Sequence, residues 1–144
     1  MSFDLEKFNA AQITYVTKTI QVPELKAFFG KDEKPEWKVR NLTGIELFIA
    51  NEAASIASKV KIMTEAIAKG TNEGLQEGLE TLLNKNNNIV PEELVRRHKL
   101  LEFASIPPFP ANLCVKLAES KITTFTKITN AIIILTGDGA DLGE

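Results

Sequence analysis

The segment Asn41-Leu42-Thr43-Gly44-Ile45-Glu46 constrains this chain more than any other, because it fixes where a long helix begins. Thr43 can cap the free amide of Glu46 while the Glu46 carboxylate reaches back to the Thr43 amide, a reciprocal capping box. Leu42 and Leu47 flank it as the two halves of a hydrophobic staple. Downstream, Ile45, Ile49, Ala53, Ile56, Val60, Met63 and Ile67 recur at steps of three and four. That spacing predicts one apolar stripe along a helix that stops near Gly70, preceded by Lys69. At about seven turns the helix is longer than the usual globular one. Any fold for this chain must be arranged around it.

Ahead of the helix the chemistry changes. Residues 12–22 are dominated by Thr and β-branched side chains, whose crowded Cβ atoms suit a pleated surface, so they predict a strand ended by Pro23. A second extended piece is expected at 35–40, with Trp37 and Val39 on one face, and a helical turn at 25–29 with a charged loop at 30–34 between them. Two strands form a marginal sheet without further support, so the pair must pack on helices or be completed by another subunit.

Behind the long helix, Leu75, Leu79 and Leu82 give an apolar face to a second helical piece over 72–83, weakened by Gly74 and Gly78. A polar turn follows at 84–88. Pro91 reads as the first residue of a third helix with Leu94, His98 and Leu101 inward, ended by Ile106-Pro107. Pro110 opens a helix carrying Leu113, Cys114 and Leu117, which breaks near Ser120. The last helix is expected over 123–135, with Gly137 as its stop. The fold class is therefore α+β, a mainly α-helical body with a small N-terminal β-strand pair or hairpin. One domain is expected over residues 1–136, with 137–144 as a flexible C-terminal tail.

The chain of 144 residues, 44% apolar, can bury one core. Its formal net charge is −2, and its densest basic cluster is Arg96-Arg97-His98-Lys99 inside a helical pattern. Nucleic-acid binding would need a far more concentrated positive surface, so no nucleic-acid partner is expected. A single Cys excludes an internal disulfide and fits a reducing compartment. The longest apolar run, 131–135, is far short of a bilayer span, so no membrane partner is expected either.

Reactive chemistry is sparse. His98 has no second ligand at useful spacing for zinc, which draws three or four. Cys114 reads as a small hydrophobe, and a nucleophilic role would require a base beside it. The glycines and acids of 137–141 follow a helix and precede nothing, which suits neither a phosphate cradle nor a calcium loop. Glu73, Glu77 and Glu80 fit a solvated face. No catalytic residue, cofactor or metal is expected, and the chain is read as a non-enzyme. The candidates for function are apolar: Tyr15 on the strand, Phe28 and Phe29 beside the charged loop, Trp37 among charged residues, and Phe103 and Phe109 flanking the proline joint. Large aromatic side chains are common anchors in protein interfaces, so these six are the candidate protein-binding residues.

Three segments carry a resemblance. They are 37–47 (Trp-Lys-Val-Arg-Asn-Leu-Thr-Gly-Ile-Glu-Leu) with 51–54, then 107–119 from Pro-Pro-Phe-Pro to Ala-Glu, then 128–132 with 135–143 through Thr-Gly-Asp-Gly-Ala-Asp-Leu-Gly. Together they are about a third of the chain, and in order and length they resemble the tail assembly chaperones of long-tailed bacteriophages, short proteins encoded ahead of the tape-measure gene. The resemblance implies a partner, the aggregation-prone tape-measure protein, kept soluble while tail-tube subunits polymerise around it. The tail-tube protein is the second partner it brings into view. It also implies a host-cytoplasmic protein that is not expected in the mature virion, and a longer form made by programmed frameshift near residues 143–144. A homo-oligomer is expected as well, motivated by the isolated strand pair and the exposed aromatic candidates, and one apolar groove multiplied by self-association would serve a long helical client. The rival functions are a structural tail-completion or connector protein of the virion, a small enzyme, and a DNA-binding regulator.

Overall fold

The computed structural model describes residues 2–68 and 91–143. The second helical piece, its glycines and acids, the polar turn and the helix stop at Gly70 lie outside the described residues, as do the side chains of Met63 and Ile67. The elements run α1 Leu5–Ala10, β1 Gln12–Thr14, β2 Thr17–Gln21, a 3-10 segment Pro23–Phe28, β3 Glu36–Arg40, α2 Gly44–Ala68, α3 Glu92–Ala104, α4 Ala111–Ser120, α5 Ile122–Asp138 and β4 Asp141–Gly143. The fold is mainly helical with small antiparallel strand pairs. No helix among the described residues is long and apolar enough to cross a membrane.

The capping box forms as its residues dictate. The Glu46 amide donates to Thr43 Oγ1 at 3.2 Å and the Thr43 amide to Glu46 Oε1 at 3.0 Å. Arg40 then grips the same carboxylate with two guanidinium nitrogens, at 2.8 and 2.7 Å, which ties the end of β3 to the start of α2. That guanidinium holds the Glu46 carboxyl below its usual range. Of the staple, Leu42 is buried and Leu47 stays at the surface. The Leu42 amide reaches the Thr136 hydroxyl on α5 at 3.1 Å, so the first turn of α2 is anchored to the far end of the chain.

Extended residues 12–22 do not make one strand. They divide into β1 and β2, which have different partners: β2 pairs with β3 (Ile20 opposite Trp37), whereas β1 pairs with β4 (Ile13 opposite Leu142). Buried Asn41 sits at the division: its side-chain oxygen accepts the Val16 backbone N–H at 2.9 Å, and its backbone N–H donates to the Val16 carbonyl at 3.1 Å. Asp141–Gly143, expected within a flexible tail, are thus seated as β4. Helix α5 also runs past the expected stop at Gly137. It ends at Asp138, and Gly139 follows with φ of 80°, a left-handed conformation that glycine adopts without a Cβ penalty. Pro91 precedes α3 as its cap rather than opening it.

One face of α5, Thr124, Phe125, Ile128, Thr129, Ala131, Ile132 and Leu135, forms the centre of the core. Leu100, Leu101 and Ala104 of α3, Cys114, Leu117 and Ala118 of α4, and Ile20, Val22, Leu25 and Val39 of the strand region close around it. Helix α2 joins through small residues. Among its described side chains Ala50 and Ala54 are the fully buried ones, and α2 packs against α3. Short side chains let the two helix axes approach closely and leave no room for bulk.

Candidate protein-interaction surface

The apolar stripe of α2 faces outward. Ile45 is 75% exposed and Phe48 77%, and Ile49, Ile56 and Val60 are exposed as well. At about 100° per residue these side chains lie on the side of the helix opposite Ala50 and Ala54. The stripe predicted from the sequence is real, but it is not the buried face, because α2 is apolar on both sides and the side with small residues makes the closer helix contact. Ile45, Phe48, Ile49, Glu52, Ala53 and Ile56 line an open groove of about 540 Å³. Among the described residues that line it, Glu52 is the only charged one. A contiguous apolar strip of this length on a surface helix is the kind of feature that marks a binding site.

The six aromatic candidates separate into two groups. Trp37, Phe29, Phe103 and Phe109 are partly buried and packed against the core. Trp37 donates its indole N–H to Ser105 Oγ at 3.0 Å and meets Phe109 edge-on with centroids 4.8 Å apart. The joint carrying Ser105 and Ile106 runs along β3: Ser105 pairs with Val39, and the Ile106 amide donates to the Lys38 carbonyl at 2.9 Å. That pairing brings Phe109 onto Trp37. Phe103 has the Lys99 ammonium 5.9 Å from its ring centre. Phe28 and Tyr15 remain exposed, and Tyr15 lies under the Arg40 guanidinium at 4.4 Å. Tyr15 also lines a smaller cleft of about 350 Å³ between the β1–β4 pair and the start of α2.

Sequence reasoning missed Phe3, Leu5, Phe8 and Phe48, all exposed. For Phe48 a signal was present: it lies one turn from Ile45 and Glu52, on the same face as the stripe.

Polar groups elsewhere are engaged in structure. Arg96 pairs with Glu92 and Glu93 and donates to Asn51 on α2 at 2.9 Å. Arg97 pairs with Glu93 and reaches Thr129 and Asn130 on α5 at 2.7 and 2.8 Å. Lys99 pairs with Glu102. The basic cluster thus clamps α3 to its neighbours. The Cys114 thiol points to the Phe109 carbonyl at 3.8 Å, and burial pushes its pKa up to about 12, against the thiolate that nucleophilic chemistry needs. His98 stacks edge-on against Phe125 at 5.5 Å, with Nε2 buried and without a hydrogen-bond partner. Desolvation lowers its pKa, against a smaller opposing pull from Glu119. No group of three or more potential metal ligands occurs among the described residues. No protein-family model, curated protein or solved structure matches the chain.

Proposed function

We propose that this chain is a non-enzymatic assembly chaperone whose client is an apolar helical segment laid along α2, in line with its resemblance to phage tail assembly chaperones. The client of that reading is the tape-measure protein, held soluble in the host cytoplasm while tail-tube subunits assemble, and the chaperone leaves before the particle matures. One observation supports it above all: α2 presents Ile45, Phe48, Ile49 and Ile56 to solvent as a groove. An amphipathic client helix fits such a groove through anchors at i, i+3, i+4 and i+7.

Co-expression with the long helical protein encoded beside it tests the reading. The chain should keep that protein in the soluble fraction and co-purify with it, and a Phe48→Ser/Ile49→Ser variant should do neither. An unchanged client precipitate with the wild-type chain would refute it. Recovery of the chain from purified virions would favour the structural tail protein instead.

A further inference from the structure

The β1–β4 pair is fixed to the rest of the chain at its two roots. At one root, Val16 is held by Asn41, whose side-chain oxygen accepts its backbone N–H and whose own N–H donates to its carbonyl. At the other, the Gly139 N–H donates to the Leu135 and Thr136 carbonyls, and the Thr136 hydroxyl accepts the Leu42 N–H. Both roots therefore rest on adjacent residues, Asn41 and Leu42, just ahead of α2. Beyond the roots no residue of β1 is buried, nor is Asp141 or Leu142. The two strands pack chiefly on each other. Ile13 and Leu142, 69% and 48% exposed, are opposed in the ladder. They line the cleft of about 350 Å³ together with Leu47, the half of the staple left at the surface. A two-stranded ladder without buried side chains is marginal by itself, and apolar groups that share a cleft gain by closing it.

We propose that the β1–β4 pair is a strap poised to close on the first turn of α2, pivoting at Val16 and Gly139 until Ile13 and Leu142 meet Leu47. The two strands move as one body, because the ladder joins them and their roots share one base. Gly139 suits a pivot: its φ of 80° carries no Cβ penalty in glycine, and no neighbouring atom lies within 4 Å of where a Cβ would sit. The capping box stays in place through the motion, since its bonds run between Thr43, Glu46 and Arg40 alone. Closed, the strap withdraws Ile13, Leu142 and Leu47 from water. Open, it leaves Leu47 as apolar surface next to Phe48. The strap thereby sets how much apolar surface the start of the client face offers, a use that rests on the client reading, whereas the closure itself does not.

Disulfide trapping on the full chain tests it. Ile13→Cys/Leu142→Cys reports the ladder, since opposed residues of an antiparallel pair have Cα atoms about 4.5–5.5 Å apart, within disulfide reach. Leu47→Cys/Leu142→Cys and Ile13→Cys/Leu47→Cys report closure, one from each strand. Under a mild oxidant all three should form an intramolecular bond at a rate independent of protein concentration, while buried Cys114 stays reduced. A ladder bond without either closure bond would overturn the inference, as would a missing ladder bond, or closure from one strand only. Amide exchange provides a second measurement. Leu142→Pro removes a backbone N–H from β4, so it should speed exchange at residues 12–14 and leave Val16 and Asn41 as they were; unchanged exchange at 12–14 would overturn the shared motion. If the closure bonds form but the wild type keeps no client soluble, the client reading falls and this one stands. If the client is kept soluble and neither closure bond forms, the reverse holds.

Discussion

Replacing Ala54 by Leu and, separately, Phe48 by Ser tests which side of α2 is inside. Ala54 has no exposed surface, so three added carbons must displace the groups packed on it or force strained rotamers. Overpacking of that kind costs about 1–3 kcal/mol. Phe48→Ser removes a large side chain, yet most of that side chain already meets water. Serine and phenylalanine have similar helix propensities, so the expected change is within about 0.5 kcal/mol. Were Phe48 a core residue, truncation would cost about 3–5 kcal/mol instead. Urea unfolding followed by the fluorescence of Trp37, the only tryptophan, reads both. With a slope of about 2 kcal/mol per molar, Ala54→Leu should lower the midpoint by roughly 0.5–1.5 M while Phe48→Ser leaves it almost in place. Sub-micromolar protein keeps association from contributing. A large loss for Phe48→Ser beside a neutral Ala54→Leu would show that the helix is packed the other way round.

Three further outcomes follow from local geometry. Thr43→Ala removes one half of the capping box and should destabilise by about 1 kcal/mol in the same assay. Glu46 has a lowered pKa in the fold, chiefly through its hydrogen bond to Arg40, so its stabilisation is complete above the ordinary value of 4.5 and is lost as the pH falls through the lower folded value; Glu46→Gln should flatten the acid limb of the stability profile, and an unchanged limb would count against the pair. His98 is likewise held neutral by desolvation, so the unfolded chain gains a proton first as the pH drops below 6.5 and stability falls there. His98→Leu should remove that fall and, by deleting the unpartnered buried Nε2, stabilise by about 1 kcal/mol at pH 6; a lower melting temperature at that pH would refute it.

Local chemistry was legible in the sequence and pairing at a distance was not. The capping box and the break at Ser120 depend on neighbours within four residues, and the structure has them where spacing puts them. The division of 12–22 depends on Asn41 and on residues 141–143, which no local propensity can anticipate. Trp37 and Phe109 read as interface anchors because they stand among charged residues and prolines; only the run of Ser105 and Ile106 beside β3 brings them together and gives the indole N–H its acceptor. The candidate surface was half legible. Periodicity found the stripe on α2 but cannot say which of two apolar faces is buried, since that depends on which one α3 can approach most closely.

That choice of face ties stability to binding. A helix with large apolar residues on its packed side would have used them for the core and would have had polar residues to spare for the surface. Here Ala50 and Ala54 make the helix contact, and α5 supplies most of the bulk at the centre of the core, Phe125, Ile128 and Ile132. Among the described residues, Ile45, Phe48, Ile49 and Ile56 of α2 take no part in the buried core. Because they contribute little to folding, they can be varied without unfolding the chain, and because α2 is anchored at Glu46 and Thr136, they are presented in a fixed geometry.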